Sequence, residues 1–165
     1  MEERECIIAL NTILTVGGER FANLMRAFGS ARAAIGAKEQ ELRQVKGIGK
    51  ETARRIRSLC DGQALMQEIQ KAEELGVEIA TKNDPLYPHA LLNISYPPPA
   101  LYILGKVLPS DAFSIAIVGS RKPSYYGTRV ARHLSKNAVE EGLAVVSGMA
   151  RGIDSAAHKG ALAGG

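Results

Sequence analysis

The spacing of apolar residues predicts helices in the first half of the chain. Ile7, Leu10 and Ile13 recur at helical intervals, and a second apolar series from Phe21 to Phe28 follows the turn TVGG. The same periodicity predicts further short helices over residues 38–45, 52–59 and 63–75. We therefore expect residues 1–82 to form a small domain of short helices, of the helix-hairpin-helix or SAM-like kind.

The pattern changes after residue 82. Five of the seven prolines lie between Asn83 and Gly105, and proline interrupts regular helix because it lacks an amide donor. Residues 83–113 are therefore predicted to be a proline-rich connector that ends in an edge strand, Ala100 to Leu104.

From residue 114 onward, apolar runs alternate with amphipathic stretches. Residues 114–118 and 143–146 are continuous apolar runs, typical of strands buried on both faces of a parallel sheet. Helices are predicted over 126–141 and 153–162. The inner face of the first of these two helices is predicted to consist of Val130, Ala131, Leu134 and Ala138. Because a strand–helix–strand–helix run normally continues, we expect 114–165 to be the first part of a Rossmann-like domain that is truncated at Gly165.

Composition favours a soluble globular protein of the cytoplasm. Hydrophobic residues make up 45% and charged residues 23%, which argues against disorder. No apolar run approaches the about 20 residues of a membrane helix. The acidic start MEERE is not a signal peptide. Cys6 and Cys60 show neither disulfide nor metal-ligand spacing, so no metal or cofactor is expected.

The charge is concentrated in one part of the helical half. The net charge is +4, and residues Arg43 to Arg57 contain six basic residues and one acid, whereas Asp61 to Glu78 contain five acids and one lysine. A local excess of positive charge favours an anionic partner.

Within this basic segment, VKGIGKETARRI resembles a helix-hairpin-helix motif. Gly47 and Gly49 let the backbone pass close to a partner, and the free amides of the next helix, with Lys46 and Lys50, suit a DNA phosphate. The alternative is a glycine turn between packed helices with a solvated basic face. The earlier stretch LTVGGERF resembles a degenerate copy when Gly18 is aligned with Gly49, and it is expected to be structural.

The loop after the first predicted parallel strand is a candidate phosphate site. Its sequence GSRKPS lacks the GxGxxG spacing of a dinucleotide site, because Arg121 stands where the second glycine would be. Arg121 offers a planar fork of donors that suits phosphate oxygens, with Lys122 beside it. The hydroxyl groups of Ser120 and Ser124 and the backbone at Gly119 complete the predicted site.

The stretch SGMARGIDSAAHKGAL repeats this arrangement after the next strand. Gly148 and Gly152 flank Arg151, and parallel strands place such loops on one edge of the sheet. We expect the two loops to form one basic crevice. Asp154 and His158 share a helix face, either as an acid–base pair or as a helix cap and a structural histidine.

These motifs resemble the DNA-processing protein A family, also called DprA or Smf. The resemblance rests on GSRKPSYYG at 119–127, SGMARGIDSAAHKGAL at 147–162, DPLYPHALL at 84–92 and PPALYILG at 98–105. It implies a non-enzymatic cytoplasmic protein of natural transformation. Such a protein binds and protects single-stranded DNA and assists loading of the recombinase RecA, with DNA phosphates held in a Rossmann-like crevice.

By position, the resemblance assigns phosphate contacts to Gly119, Ser120, Arg121 and Lys122 in the first loop and to Gly148, Arg151 and Gly152 in the second. Family members continue beyond a position like Gly165, and their self-association and RecA contact rely largely on that part. A homodimer is therefore expected only through residues that follow Gly165.

Two other functions stay open at this point. One is a Rossmann-like enzyme that binds or hydrolyses nucleotides, although the PGGxGTxxE stretch of such hydrolases is absent from the sequence. The other is a structural or regulatory fold that binds a small nucleotide. The hypothesis we favour is sequence-independent binding of single-stranded DNA, without catalysis.

Overall fold

The structure is a computed structural model that describes residues 1–13, 15–108 and 113–165. Leu14, in the predicted hairpin copy, and residues 109–112, in the predicted connector, lie outside the described residues. The chain divides into an N-terminal unit, Met1–Lys106, and a C-terminal unit, Val107–Gly165. The sequence-based ranges 1–82, 83–113 and 114–165 divide it differently, because most of the proline-rich segment packs within the N-terminal unit.

The N-terminal unit is mainly helical, as the apolar periodicity predicts. Its helices are α1 (Glu3–Thr12), α2 (Gly18–Phe28), α3 (Ala31–Gly36), α4 (Glu39–Leu42), α5 (Lys50–Ser58) and α6 (Gln63–Glu74), with 3-10 turns at Leu59–Asp61 and His89–Asn93. The periodic residues Leu10, Leu24, Leu42 and Ile56 are fully buried in one apolar core. Burial of these side chains is the main term that stabilises the short helices.

Two strands follow the helices in this unit. Strand β1 (Glu78–Thr81) pairs antiparallel with β2 (Ala100–Ile103), so that Glu78 lies opposite Ile103 and Thr81 opposite Ala100. The helical interpretation of residues 78–81 is therefore wrong. β1 has only four residues, which is too short for a clear alternating pattern. Its pairing partner β2 is distant in sequence, so local periodicity does not predict this strand.

Helix α3 has only six residues and is capped at both ends by other helices. The Glu3 carboxylate of α1 accepts hydrogen bonds from the amides of Ala31 (2.6 Å) and Arg32 (3.1 Å), and the Ser30 hydroxyl accepts one from Ala33. At the other end, the Arg57 guanidinium of α5 donates to the carbonyls of residues 35 and 36. These contacts satisfy backbone groups that a short helix leaves unpaired.

A second polar cluster joins α1 to the end of β1. Arg4 donates to the Asp84 carboxylate (3.1 Å) and to the Ile79 carbonyl (2.7 Å), while Asp84 also accepts hydrogen bonds from the amide and hydroxyl of Thr81. Burial alone would raise the pKa of Asp84, but these hydrogen bonds outweigh it and lower the pKa below its ordinary value of 3.8. The ionised form is therefore the one that stabilises the fold.

The C-terminal unit is a parallel β–α–β–α arrangement, as predicted. It contains β3 (Ser114–Ala116), α7 (Tyr125–Glu140), β4 (Ala144–Val146) and α8 (Ile153–Gly164), and β3 pairs parallel with β4. Gly160 and Gly164 of α8 lie directly against the backbone carbonyls of Arg132 and Lys136, so the two helices pack at backbone contact. The protein is therefore of the α/β class.

Burial in this unit differs from the sequence prediction. All three residues of β3 are exposed, and the prediction that this strand is buried on both faces is wrong for the described unit. In α7 the buried residues are Ala131 and Ser135, whereas Leu134, predicted on the inner face, is 53% exposed. The close approach of α8 selects the face of α7 that is buried, and that face includes the hydroxyl of Ser135 bonded to the Ala131 carbonyl.

Among the described residues, no helix is long and apolar enough to cross a membrane.

Replacing Glu3 by alanine should lower the free energy of unfolding by about 1 kcal/mol, because two amides at the start of α3 lose their acceptor. Urea unfolding of the chain measures this. Glu73→Ala, which removes an exposed carboxylate of α6, is the matched control and should change stability by less than about 0.5 kcal/mol. Equal stabilities of the two variants would contradict the capping role.

The lowered pKa of Asp84 predicts a pH-dependent contribution to stability. The stabilisation should be complete above the ordinary pKa of about 4 and should be lost as the pH falls through the lower pKa of the folded state. Unfolding of wild type and Asp84→Asn, compared along an acid titration, measures the effect. The difference in stability should shrink toward low pH, and a constant difference would contradict the prediction.

Candidate functional site

The first glycine loop runs from the end of β3 to the start of α7. The Ser124 hydroxyl accepts a hydrogen bond from the Gly127 amide (3.1 Å) and caps α7, and the Ser120 hydroxyl accepts one from the Lys122 amide (3.1 Å). Serine is a preferred N-cap because its oxygen replaces a missing helical acceptor. Each hydroxyl still carries a proton that it can donate to a ligand.

The second glycine loop runs from β4 to α8 and has an unusual backbone. Met149 has φ of 57°, and Gly152 has φ of 91°, in a region that side chains disfavour. The Ser147 hydroxyl donates to the carbonyl of Ile117 (2.7 Å), which ties this loop to the end of β3. This role of Ser147 could not be predicted from sequence, because a serine after a strand carries no distinctive signal.

The two loops contact each other through their backbones. The Ile153 amide donates to the carbonyl of Ser120 (3.1 Å), and a Cβ added to Gly152 would lie 2.8 Å from the Cα of Arg121. Any other residue at position 152 would therefore clash with the first loop. This contact brings the segments that carry Arg121 and Arg151 side by side, as the sequence analysis expects of a shared crevice.

Asp154 connects both loops. Its carboxylate is buried and accepts hydrogen bonds from the amides of Gly119 (3.4 Å), Gly148 (3.2 Å) and Ala150 (3.4 Å). The prediction that Asp154 caps the start of α8 is wrong, because none of these amides belongs to α8 and the N-cap residue Gly152 forms no side-chain cap. The carboxylate bridges the two loops instead. His158 buries its Nε2 atom without a hydrogen-bond partner among the described residues, and no contact with Asp154 forms an acid–base pair there.

This arrangement changes the role expected of two predicted site residues. The amides of Gly119 and Gly148 bind Asp154, so they are already occupied by a carboxylate of the protein. Both glycines are also required by packing, because an added Cβ would lie 2.9 Å from the Ile153 side chain or 2.8 Å from the Asp154 carboxylate, respectively. These two amides are therefore not available to an anion, whereas the exposed side chains of the loops are.

Three basic side chains project from the loops. Arg121, Lys122 and Arg151 are exposed, and none of them forms an ion pair with any acid in the part of the chain that the structure describes. Unpaired cations at the carboxyl ends of parallel strands can bind an anion by charge-assisted hydrogen bonds.

In the N-terminal unit, the predicted hairpin turn is present between α4 and α5. Gly47 has φ of 87°, and Gly49 caps the start of α5, as Gly17 caps the start of α2. Val16 and Ile48, one residue before each capping glycine, are both buried. The two hairpins are thus structural copies related by Gly17 and Gly49, and the predicted alignment of Gly18 with Gly49 is wrong by one residue.

The two copies differ in what lies over the helix start. The capping glycines Gly17 and Gly49 both have open space around them. At the next residue the copies differ: a Cβ on Gly18 would overlap the carbonyl of Tyr96 in the proline-rich segment, whereas the equivalent Lys50 is exposed. Lys46 lies 3.9 Å from Glu19, and Lys50 has no acidic partner among the described residues. Among the described residues of the two hairpins, the first helical residue is therefore covered in α2 and exposed in α5.

The basic segment Arg43–Arg57 is less free than its composition indicates. Arg54 pairs with Glu39 at 3.9 Å and Arg55 with Glu51 at 3.2 Å. Arg57 binds the carbonyl end of α3, as described above. With Lys46, which lies 3.9 Å from Glu19, four of the six basic side chains thus serve contacts within the unit. Exposed ion pairs of this kind add little to stability.

Two loops at the carboxyl ends of neighbouring parallel strands, each followed by a helix, define a Rossmann-like α/β protein. The sequence profile of the family described as DNA recombination-mediator protein A matches residues 78–165, just over half of the chain. The chain belongs to this family. The match covers both glycine loops and the proline-rich segment.

Individual relatives agree with this assignment. The chain is 30% identical over 159 residues to Protein Smf of Synechocystis sp., which covers 94% of this chain and 40% of that protein. It is 37% identical over 90 residues to DNA processing protein DprA of Bacillus subtilis, covering 54% of this chain and 30% of that protein. The chain thus spans well under half the length of these curated relatives.

A solved structure shows the same fold. The X-ray structure of DNA processing protein A (DprA) from Streptococcus pneumoniae matches with a TM-score of 0.65 at 24% sequence identity. The match covers 98% of this chain and 54% of that chain.

Replacing Asp154 by alanine should destabilise the C-terminal unit by about 2 kcal/mol or more, because three backbone amides lose their acceptor. Amide hydrogen exchange at Gly119, Gly148 and Ala150 measures this locally, and protection should fall at all three positions. Asp154→Asn keeps one acceptor oxygen and should have an intermediate effect. Unchanged protection in both variants would contradict the bridging role.

Proposed function

We propose that the chain binds single-stranded DNA without regard to sequence and without catalysing a reaction. The observation that carries the proposal is the pair of interlocked glycine loops at one edge of the sheet. Their side chains Arg121, Lys122 and Arg151 form no ion pair within the described part of the chain. Side chains of this kind neutralise phosphates, which are common to all DNA sequences. The names DNA processing protein and DNA recombination-mediator protein support a DNA partner.

The first turn of α7 favours a single strand over a duplex. Tyr125 is 80% exposed and Tyr126 is 76% exposed, directly after the Arg121–Lys122 loop. Exposed aromatic rings beside a cationic groove stack on unpaired bases of any sequence. A duplex keeps its bases stacked on each other and offers no such contact.

The predicted loop contacts take different roles within this proposal. Arg121, Lys122 and Arg151 meet the phosphates, while the hydroxyls of Ser120 and Ser124 donate where the strand approaches the backbone. Gly119, Gly148 and Gly152 act by allowing the loops to interlock. In this proposal Asp154 does not contact the DNA, and its role is to hold the two loops in place.

The hairpin of the N-terminal unit is proposed as a secondary DNA contact. Gly47 and Gly49 shape the turn, Lys50 is free of acidic partners among the described residues, and Lys46 is only weakly paired. We expect it to contribute less affinity than the loops, because among the described residues it offers one cation without an acidic partner and the loops offer three.

The wider role follows from the family resemblance. We propose that the whole protein acts in the cytoplasm, protects incoming single-stranded DNA and assists RecA loading during transformation. Self-association and RecA contact would involve residues beyond those of this chain.

Arg121→Ala should weaken binding of oligo-dT and of mixed-sequence single strands to the same extent. Loss of one phosphate contact should also reduce the slope of log K against log salt by about 0.7. Fluorescence anisotropy over a salt titration, with single-stranded and double-stranded DNA in parallel, measures both quantities. An unchanged affinity with an unchanged slope would contradict the site assignment.

Two controls sharpen this experiment. Arg32→Ala removes one exposed arginine from α3 and should leave binding unchanged, while Arg121→Lys should retain part of the affinity. Competition of a nucleoside monophosphate with oligo-dT for one site would favour a small-nucleotide protein instead. Turnover of that nucleotide would favour the Rossmann-like hydrolase.

A further inference from the structure

The positive charge of the first loop continues along helix α7. Between Gly119 and Val139 the sequence contains five Lys or Arg residues and no Asp or Glu. Arg129, Arg132 and Lys136 lie on successive turns of α7, and all three are exposed. From Tyr125 to Lys136 the helix advances by about 16 Å, at 1.5 Å per residue.

A shallow groove of about 630 Å³ lies along this part of α7. Val130, Leu134 and Ala163 contribute apolar surface to it, and Arg129, Arg132 and Lys136 contribute charged side chains. Tyr126 lies at the end nearest the first loop. Leu134 is the side chain that the apolar pattern places in the core and that the structure leaves 53% exposed.

The cations of the groove differ in how free they are. Lys136 lies 3.4 Å from Glu140 and is partly neutralised. The Arg129 guanidinium lies 5.8 Å from the centre of the Tyr125 ring, a contact that holds it in place and leaves its charge unpaired. Arg132 has no acidic partner among the residues described. A phosphate bound in the groove would therefore form its most favourable electrostatic contacts with Arg129 and Arg132.

A groove that combines apolar surface, an aromatic ring and unpaired cations matches the chemistry of a single nucleic-acid strand. The bases of such a strand are flat and apolar on their faces, and its phosphates repeat at regular intervals. An acidic peptide could satisfy the charges, but its backbone does not present flat apolar faces and negative charges at regular intervals as a nucleic-acid strand does.

We infer that the groove on α7 is a second part of the nucleic-acid site, in which the strand held at the glycine loops continues along the helix. Its bases lie over Tyr126, Val130 and Leu134, and its phosphates contact Arg129 and Arg132. This inference rests on the proposed function, because the loops supply the first contact. It also specifies the path of the bound strand, which runs from the glycine loops along α7.

The test compares a short and a long strand on the purified chain. Labelled oligo-dT of about 4 and about 16 nucleotides brackets the usual site size of a single-strand binder. The double variant Arg129→Ala/Arg132→Ala should bind the short strand as wild type does. It should bind the long strand on the order of 10-fold more weakly, with the salt slope reduced by about 1.4 for two lost phosphates.

Further variants separate this inference from the proposed function. Arg121→Ala should weaken both strands, and Arg129→Lys/Arg132→Lys should retain most of the long-strand affinity. Leu134→Asp, which places a negative charge at an exposed site, should weaken the long strand more than the short one. Circular dichroism confirms that each variant is folded, and Arg32→Ala serves as the charge control.

The outcomes are distinct. If Arg121→Ala weakens binding and the α7 variants bind the long strand normally, the groove proposal is overturned and the function at the loops stands. Equal losses on the short and long strands also overturn it. If no variant changes binding, the proposed function fails together with the groove.

Discussion

The carboxylate of Asp154 is the interaction on which the C-terminal unit depends. It lies at the start of α8 and holds amides of both glycine loops, which otherwise would have no acceptor so close to the sheet edge. A consequence for binding follows from this. The protein's own carboxylate occupies the amides of Gly119, Gly148 and Ala150, so the site proposed above would bind an anion through the exposed side chains of the loops. This distinguishes the site from a dinucleotide site more clearly than the missing glycine does.

The N-terminal unit contains two copies of one glycine turn, and each copy starts a helix. Each copy buries an apolar residue before a capping glycine and starts a helix from it. In the first copy the proline-rich segment covers the first helical residue, Gly18, whereas in the second the equivalent residue, Lys50, is exposed. The same local sequence pattern therefore serves as packing surface in one place and as accessible backbone in the other.

Sequence periodicity located most helices and both parallel strands, because those elements are set by residues close together in the chain. It failed where the deciding contact is distant. β1 needs a partner beyond the proline-rich segment, and Asp154 could be recognised as a bridge only from the approach of Gly119, 35 residues away. Leu134 was placed on the buried face for the same reason, because an apolar pattern does not show which neighbouring element packs against it. The two glycine loops were predicted from sequence because their motifs are contiguous, while the phosphate contact of Arg121 stays a prediction. The bond from Arg57 to the carbonyl end of α3 was not predicted, because its partners are distant in sequence.

The backbone contact between α7 and α8 has a mechanical consequence. Because Gly160 and Gly164 seat α8 on the carbonyls of Arg132 and Lys136, no layer of side chains separates the helices at these points and sliding is sterically blocked. Each of these helices begins where a glycine loop ends, so their contact also fixes the spacing of the two loops. In the proposed complex, Arg121 and Arg151 would therefore meet the strand from backbone positions at a constant separation.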